Sequence, residues 1–282
     1  MGLTEEQKQH FIENGWLKIE GAFTADQAAP LMTDIQERLG VWASEFALKA
    51  WEAICELSGG EDRMDPEGCF WSNGFIVNLG DAAYEGKETP LEDLDVFHVD
   101  GQFFVYYLDS TDQAILCVPL WTDVLPGGGP MVLCLGSVAT IAKWFDPRFD
   151  DTYGSYFGWA NEVAWANGCF DLAIGKVGDV FLLYPFLIHS TICNKKRLFR
   201  AIINSKTSLK EPYRLYRTDG NYSVLEQSIR HGLMKKNVTE NDLMNWHITA
   251  PREGFKPGLI NRKVPTKADV TPVSHLGSMA VM

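Results

Sequence analysis

The sequence predicts a mainly β protein with flanking helices, its core a sandwich or barrel of short strands. Three observations carry this: a series of β-rich runs between about residues 69 and 208, turn signals between the runs, and amphipathic helical patterns confined to the two ends. The runs are Phe75–Leu79, Phe103–Leu108, Ala114–Thr122, Met131–Leu135, Val180–Leu183 and Arg200–Thr207. Pro126-Gly127-Gly128-Gly129-Pro130 and Gly178-Asp179 punctuate them.

In chain order, residues 4–14 read as a helix, with Thr4 and Gln7 as a capping pair and Gly15 as the stop. Residues 16–20 alternate apolar and polar, the period of a strand. Thr24 and Gln27 repeat the capping signal before a second helix, which carries Leu31, Ile35 and Leu39 and is expected to end at Gly40. A third amphipathic stretch covers Val41 to Leu57 and stops at Gly59-Gly60. This helical part spans 1–60, and the β core about 69–208. The acidic segment 81–97 reads as a loop, and 144–171, rich in Trp, Tyr, Phe and Gly, as an insertion over one end of the core. A helical extension occupies about 220–282, with Thr239 and Asp242 as a further cap and an extended tail at its end. No repeat or linker divides the chain, so 1–282 is read as one domain.

Composition narrows the function. Of 282 residues, 46% are hydrophobic and 22% charged, which suits a globular protein with a sizeable core. The net charge of −12, with no basic run longer than Lys195-Lys196-Arg197, argues against nucleic acid or an anionic membrane as partner. No run approaches the roughly 20 apolar residues of a transmembrane helix. The start lacks the pattern of a signal peptide, and a cytoplasmic location is the expectation. Cys55, Cys69, Cys117, Cys134, Cys169 and Cys193 form no C-x-x-C pair and read as reduced thiols.

The residues that carry chemistry begin with His98-Val99-Asp100. Two residues apart on a strand, an imidazole and a carboxylate share one face and can share one metal ion. A polar patch on a strand edge gives the same pattern. A facial iron site needs a third ligand from elsewhere, and His189 is the candidate. It is expected to end the apolar run Val180 to Ile188 as a core strand; a lone histidine there is more often a hydrogen-bonded core residue. Arg200 opens the apolar Ala201-Ile202-Ile203, where a guanidinium needs an anion: a bound carboxylate, or an Asp or Glu of the chain.

Order and spacing together resemble the phytanoyl-CoA dioxygenase-like family of Fe(II)/2-oxoglutarate oxygenases, over most of residues 4–208. The resemblance rests on H-x-D, then His189-Ser190-Thr191, Asn194 and Arg200, with Asn14-Gly15-Trp16-Leu17, Pro119-Leu120-Trp121-Thr122-Asp123 and the Gly127-Gly128-Gly129 turn. Leu135 and Val138 depart from the family's Pro-Gly-Ser-His. The resemblance implies a double-stranded β-helix (jelly roll, cupin-like) core, with His98, Asp100 and His189 as iron ligands. Arg200 would bind the distal carboxylate of 2-oxoglutarate, helped by Thr191, and O2 would be the oxidant. It further implies oxidation of an unactivated C–H bond of a small molecule (hydroxylation, desaturation or cyclisation), yielding succinate and CO2. It resembles fungal secondary-metabolism members more than acyl-CoA hydroxylases.

Candidate substrate contacts are Trp71, Asn73 and Phe104, beside Phe70 and Phe103, although core aromatics give the same pattern. Trp144, Trp159 and Trp165 are candidates for a lid or for a cover of the core, and Arg214 and Arg217 for contacts to an acidic substrate, although surface arginines are common. His10, His231, His247 and His275 read as structural or exposed. The stretch 222–282 offers a surface for a second copy, hence a homodimer, or a cover for the pocket. Two rival readings are a non-oxidative cupin-like isomerase and an inactive scaffold of the same fold.

Overall fold

The computed structural model describes residues 2–33, 39–72, 74–100, 108, 111, 114–144, 156–235, 237–244 and 271–272. Helix α1 (Glu5–Asn14) opens with the reciprocal Thr4–Gln7 capping box and ends at Gly15, whose φ of 81° is the left-handed conformation that glycine adopts without a Cβ penalty. Strand β1 (Trp16–Ile19) follows, then α2 (Ala25–Thr33), again capped by Thr24 and Gln27.

The expected end of α2 is corrected. Leu39 and Gly40 belong to a strand, β2 (Leu39–Trp42), paired with β4 (Phe70–Ser72). A Cβ at Gly40 would meet the Phe70 ring at 2.0 Å, so this glycine serves close strand packing, not a helix stop. The expected single helix over 41–57 is two: α3 (Ala43–Phe46) and α4 (Leu48–Ser58), with Gly59 as the left-handed cap. Strands β3 (Met64–Asp65), β5 (Ile76–Asn78), β6 (Ile115–Pro119) and β7 (Met131–Cys134) lead into the core. The expected strand over 103–108 falls, apart from Leu108, outside the described residues. The segment expected to be an insertion over 144–171 holds the end of α5 (Ser137–Trp144), all of α6 (Tyr156–Asn167) and the start of β8 (Phe170–Ala173). Then come β9 (Val180–Leu183), β10 (His189–Thr191), β11 (Arg200–Ile202) and β12 (Ser205–Leu209), followed by α7 (Val224–Lys235), α8 (Glu240–Met244) and β13 (Thr271–Pro272).

The architecture is mixed helix and largely antiparallel sheet, with no closed barrel among the described residues. A five-stranded sheet has the order β1-β9-β6-β12-β3, and a three-stranded sheet the order β10-β7-β8. Two smaller sheets, β11-β5 and β13-β2-β4, flank them. From β6 onward, β6, β9 and β12 lie in the first of these sheets and β7, β8 and β10 in the second. Every residue of β6, β7 and β9 is buried, which explains why these strands read as continuous apolar runs rather than alternating ones. Helix α7 packs on α1, α4 and α5 and covers one side of the core. Among the described residues no helix is long and apolar enough to cross a membrane. All six cysteines are free, and burial pushes the thiols of Cys55 up to about 12 and of Cys69 to about 11.

Candidate metal centre

His189 does not end the core strand that precedes it. Strand β9 stops at Leu183, a turn through Pro185 closes with Leu187 N–H donating to the Tyr184 carbonyl at 2.9 Å, and His189 opens β10 in the other main sheet. Proline cannot donate to a ladder, so the apolar run 180–188 cannot be one strand. This break carries His189 to a position opposite His98. The two form an antiparallel bridge in which each backbone N–H donates to the other's carbonyl at 2.9 Å. Directly opposed residues share a face, and the two imidazole centroids lie 4.5 Å apart.

The rings are held in the same way. Each Nδ1 lies against the carbonyl two residues before it, His98 on Val96 at 2.9 Å and His189 on Leu187 at 3.0 Å. Donation from Nδ1 leaves Nε2 as the lone-pair nitrogen on both rings, the tautomer a metal requires. Both Nε2 atoms face Asp100 Oδ1, at 3.6 Å from His98 and 3.8 Å from His189. The other carboxylate oxygen, Oδ2, accepts 2.8 Å from Asn204 Nδ2. One ligand atom from each of the three residues lies within 4.8 Å of the others.

The electrostatics follow from this packing. Burial holds the His189 ring below the ordinary histidine value, which favours its neutral form. For His98 burial also acts downward, but the Asp100 carboxylate and the Val96 carbonyl outweigh it and the net shift is upward. Burial of Asp100 would raise its carboxyl; His98, His189 and Asn204 more than offset this and hold it below the usual range. His189 Nε2 is buried and has no hydrogen-bond partner among the described residues. A buried polar atom without a partner is costly, and a cation placed between the three donors would remove that cost.

Two positioning residues carry no signal in the sequence. Asn204 fixes the carboxylate. Asn161, on α6, accepts from Phe97 N–H at 2.9 Å and donates to the Asp95 carbonyl at 2.7 Å, so it clamps the peptides on either side of Val96, the residue that anchors His98. Trp165 on the same helix donates to the Leu94 carbonyl at 3.0 Å. This bond ties α6 to the segment leading into the metal motif. Nothing local distinguishes Asn161 and Asn204 from other asparagines of the chain.

The remaining expected residues are distributed as follows. Arg200 is 2% exposed in β11, opposite Asn78, and its Nε and Nη1 have no partner among the described residues. No Asp or Glu among those residues forms the salt bridge that the structural alternative requires. Thr191 is exposed and lines a cavity of about 490 Å³ together with Val96 and the end of β5. Trp71 is fully buried and packs edge-on against Phe23, as a core aromatic does. Asn73, Phe103 and Phe104 lie outside the described residues, as do the side chains of Trp144 and Trp159 and all of His247 and His275. Arg217 is corrected to a structural role, with Nη2 3.0 Å from Glu226; Arg214 reaches Glu211 at 3.3 Å. His10 packs edge-on against Trp16.

No family model matches the chain, and no curated protein matches it in sequence. Among solved structures it is similar to SnoK, a non-heme alpha-ketoglutarate-dependent carbocyclase from nogalamycin biosynthesis, with TM-score 0.48 and 13% identity, over 77% of this chain and 89% of that one. It is similar to HygX from Streptomyces hygroscopicus with nickel and 2-oxoglutarate bound, with TM-score 0.45 and 12% identity, over 76% and 91%. It is also similar to GlcNAc Inducible Gene 2 of Candida albicans, with TM-score 0.49 and 8% identity, over 74% and 64%.

Proposed function

We propose that the chain is a non-heme Fe(II)/2-oxoglutarate-dependent oxygenase acting on a C–H bond of a small molecule, with a role in natural-product biosynthesis. The observation that carries this is the convergence of His98 Nε2, His189 Nε2 and Asp100 Oδ1 on one point. Two neutral imidazoles and one carboxylate are the donor set of facial ferrous sites, and they leave the opposite face open. The buried His189 Nε2, without a protein partner among the described residues, suits a cation held between the three donors. We read the two main sheets as the halves of a double-stranded β-helix.

The chemistry such a centre supplies is oxidative decarboxylation of 2-oxoglutarate to succinate and CO2, coupled to oxidation of the substrate by O2. The chain's own part is to position. Val96 and Leu187 fix the ring tautomers, and Asn204 turns Oδ1 of Asp100 inward. Arg200, desolvated and with two donor nitrogens unpartnered, suits the distal carboxylate of 2-oxoglutarate through paired hydrogen bonds. We assign Thr191 a supporting contact to the same cosubstrate. Buried Phe97, Val99 and Leu133 next to the two histidines keep water from that side.

Anaerobic addition of Fe(II) and then 2-oxoglutarate tests the reading. One equivalent of iron should bind, and the cosubstrate should then produce a metal-to-ligand charge-transfer band. Absence of stoichiometric iron and of the band in the folded protein would overturn it.

A further inference from the structure

We propose that Ser137 and Asn161 are a matched pair of positioning residues, each holding one histidine ligand through a single intervening peptide group. The inference rests on the metal-centre part of the reading above and is independent of the oxygenase activity.

Each ligand ring places Nδ1 against the carbonyl two residues before it, Val96 for His98 and Leu187 for His189. Each of these carbonyls belongs to a peptide group whose N–H lies on the next residue, Phe97 or Ile188. Phe97 N–H donates to Asn161 Oδ1 at 2.9 Å, and Ile188 N–H donates to Ser137 Oγ at 2.9 Å. Both acceptors are buried, at 7% and 1% exposure, so water does not compete for these bonds. The same relay therefore stands behind both ligands: helix side chain, peptide, imidazole. His10 lacks it, its Nδ1 facing the Asn14 side chain instead.

Peptide planarity gives the relay its effect. In a trans peptide the C=O and N–H point in opposite directions within one rigid plane, so an acceptor that fixes the N–H also aims the carbonyl at Nδ1. Hydrogen bonds in such a chain polarise one another, and a stronger acceptor for Nδ1–H makes Nε2 the better donor to a metal. A buried N–H needs an acceptor in any fold, and in a sheet a neighbouring strand supplies it. Here neither acceptor comes from a strand. Ser137 opens α5 and Asn161 lies in α6, and both helices fall in the stretch of chain between the paired strands β7 and β8. One excursion of the chain thus reaches behind both ligands. Asn167, which ends α6, fastens it again, with Nδ2 donating to the Leu135 carbonyl at 2.6 Å beside the end of β7. Strand β7 in turn pairs Leu133 with His189.

The test is titration of the metal-free full chain with Co(II), followed by visible absorption, in Ser137→Ala, Asn161→Ala and the control Thr207→Val. Thr207 Oγ1 accepts from Ile115 N–H at 3.2 Å in the core, but the carbonyl of that peptide, Ala114, meets Tyr213 and no histidine. Each relay variant should bind Co(II) roughly tenfold more weakly, the scale of an outer partner of a metal ligand, and the double variant more weakly than either. Thr207→Val should bind like the wild type although it too loses stability in urea. Asn161→Asp keeps the acceptor and gives up the donor to the Asp95 carbonyl, and should bind no more weakly than the wild type. In the metal-free protein, nitrogen NMR of isotope-labelled histidines should show the Nδ1–H tautomer depleted at His189 in Ser137→Ala and at His98 in Asn161→Ala. Unchanged Co(II) affinity in the relay variants, an equal loss in Thr207→Val, or ring tautomers indifferent to the substitutions would overturn the inference. Wild-type protein that takes up no Co(II) sinks the metal centre itself. Binding that is tight in the wild type and equal in the variants sinks the relay alone. Co(II) binding with no iron–2-oxoglutarate band sinks the oxygenase and leaves the relay standing.

Discussion

Two carboxylates in this molecule sit in opposite circumstances. Glu226, on α7, is 0% exposed and saturated: Arg63 and Arg217 approach it at 3.1 and 3.0 Å, and the backbone N–H groups of Arg214 and Ser223 donate to it at 2.9 Å each. Asp100 holds one amide on Oδ2 and turns Oδ1 toward two imidazole nitrogens 3.6 and 3.8 Å away, too far for good hydrogen bonds. A carboxylate whose lone pairs are all used fixes local structure. One that faces two oriented imidazole nitrogens within reach of a common point can hold a cation together with them. The difference separates a structural cluster from a binding site without reference to any relative.

The strongest way to break the comparison is His189→Ala. It should abolish stoichiometric Fe(II) binding in an anaerobic metal titration while costing only about 1–2 kcal/mol in urea unfolding, the loss of the Nδ1 bond to Leu187 and of some packing, because its Nε2 has no protein partner to lose. A large loss of stability with little loss of metal would make the triad another structural cluster.

Glu226→Gln should do the reverse. Removing the charge leaves Arg63 and Arg217 uncompensated and should cost about 3 kcal/mol in urea unfolding, with iron affinity retained. Asn204→Ala sharpens the contrast at the positioning level: a tenfold to hundredfold loss of metal affinity is expected, roughly the effect of removing an outer partner of a ligand, with Glu226 and its partners undisturbed.

The smallest effect is in the acid limb. Burial would push the Glu226 carboxyl up, but Arg217, the Arg214 and Ser223 amides and Arg63 outweigh it and hold it below the ordinary value. A folded value below the unfolded one means its stabilisation is fully present above about pH 4.3 and lost as pH falls through the folded value. Thermal unfolding of the wild type should therefore fall off more steeply below that point than Glu226→Gln does. Parallel profiles would show that the cluster does not couple to folding.

What was legible in the sequence was local. Thr4 with Gln7, Thr24 with Gln27 and Thr239 with Asp242 each make the reciprocal or single caps expected of them, because a cap is settled within a few residues. The apolar runs of β6, β7 and β9 are strands because they are buried on both faces. Where a distant neighbour decides, local reading failed: helical spacing ran on through Leu39, but Phe70 against Gly40 makes that stretch a strand.

The sequence by itself determined which side chains can ligate a metal, His98, Asp100 and His189, and that Arg200 needs an anion, since residue chemistry is independent of fold. Only the tertiary structure decided that the three ligands meet. That required Pro185 to end one strand and His189 to begin another opposite His98, and Asn161 and Asn204 to hold the motif and its carboxylate in place. These contacts join residues far apart along the chain, and no local pattern encodes the geometry by which a sheet brings them together.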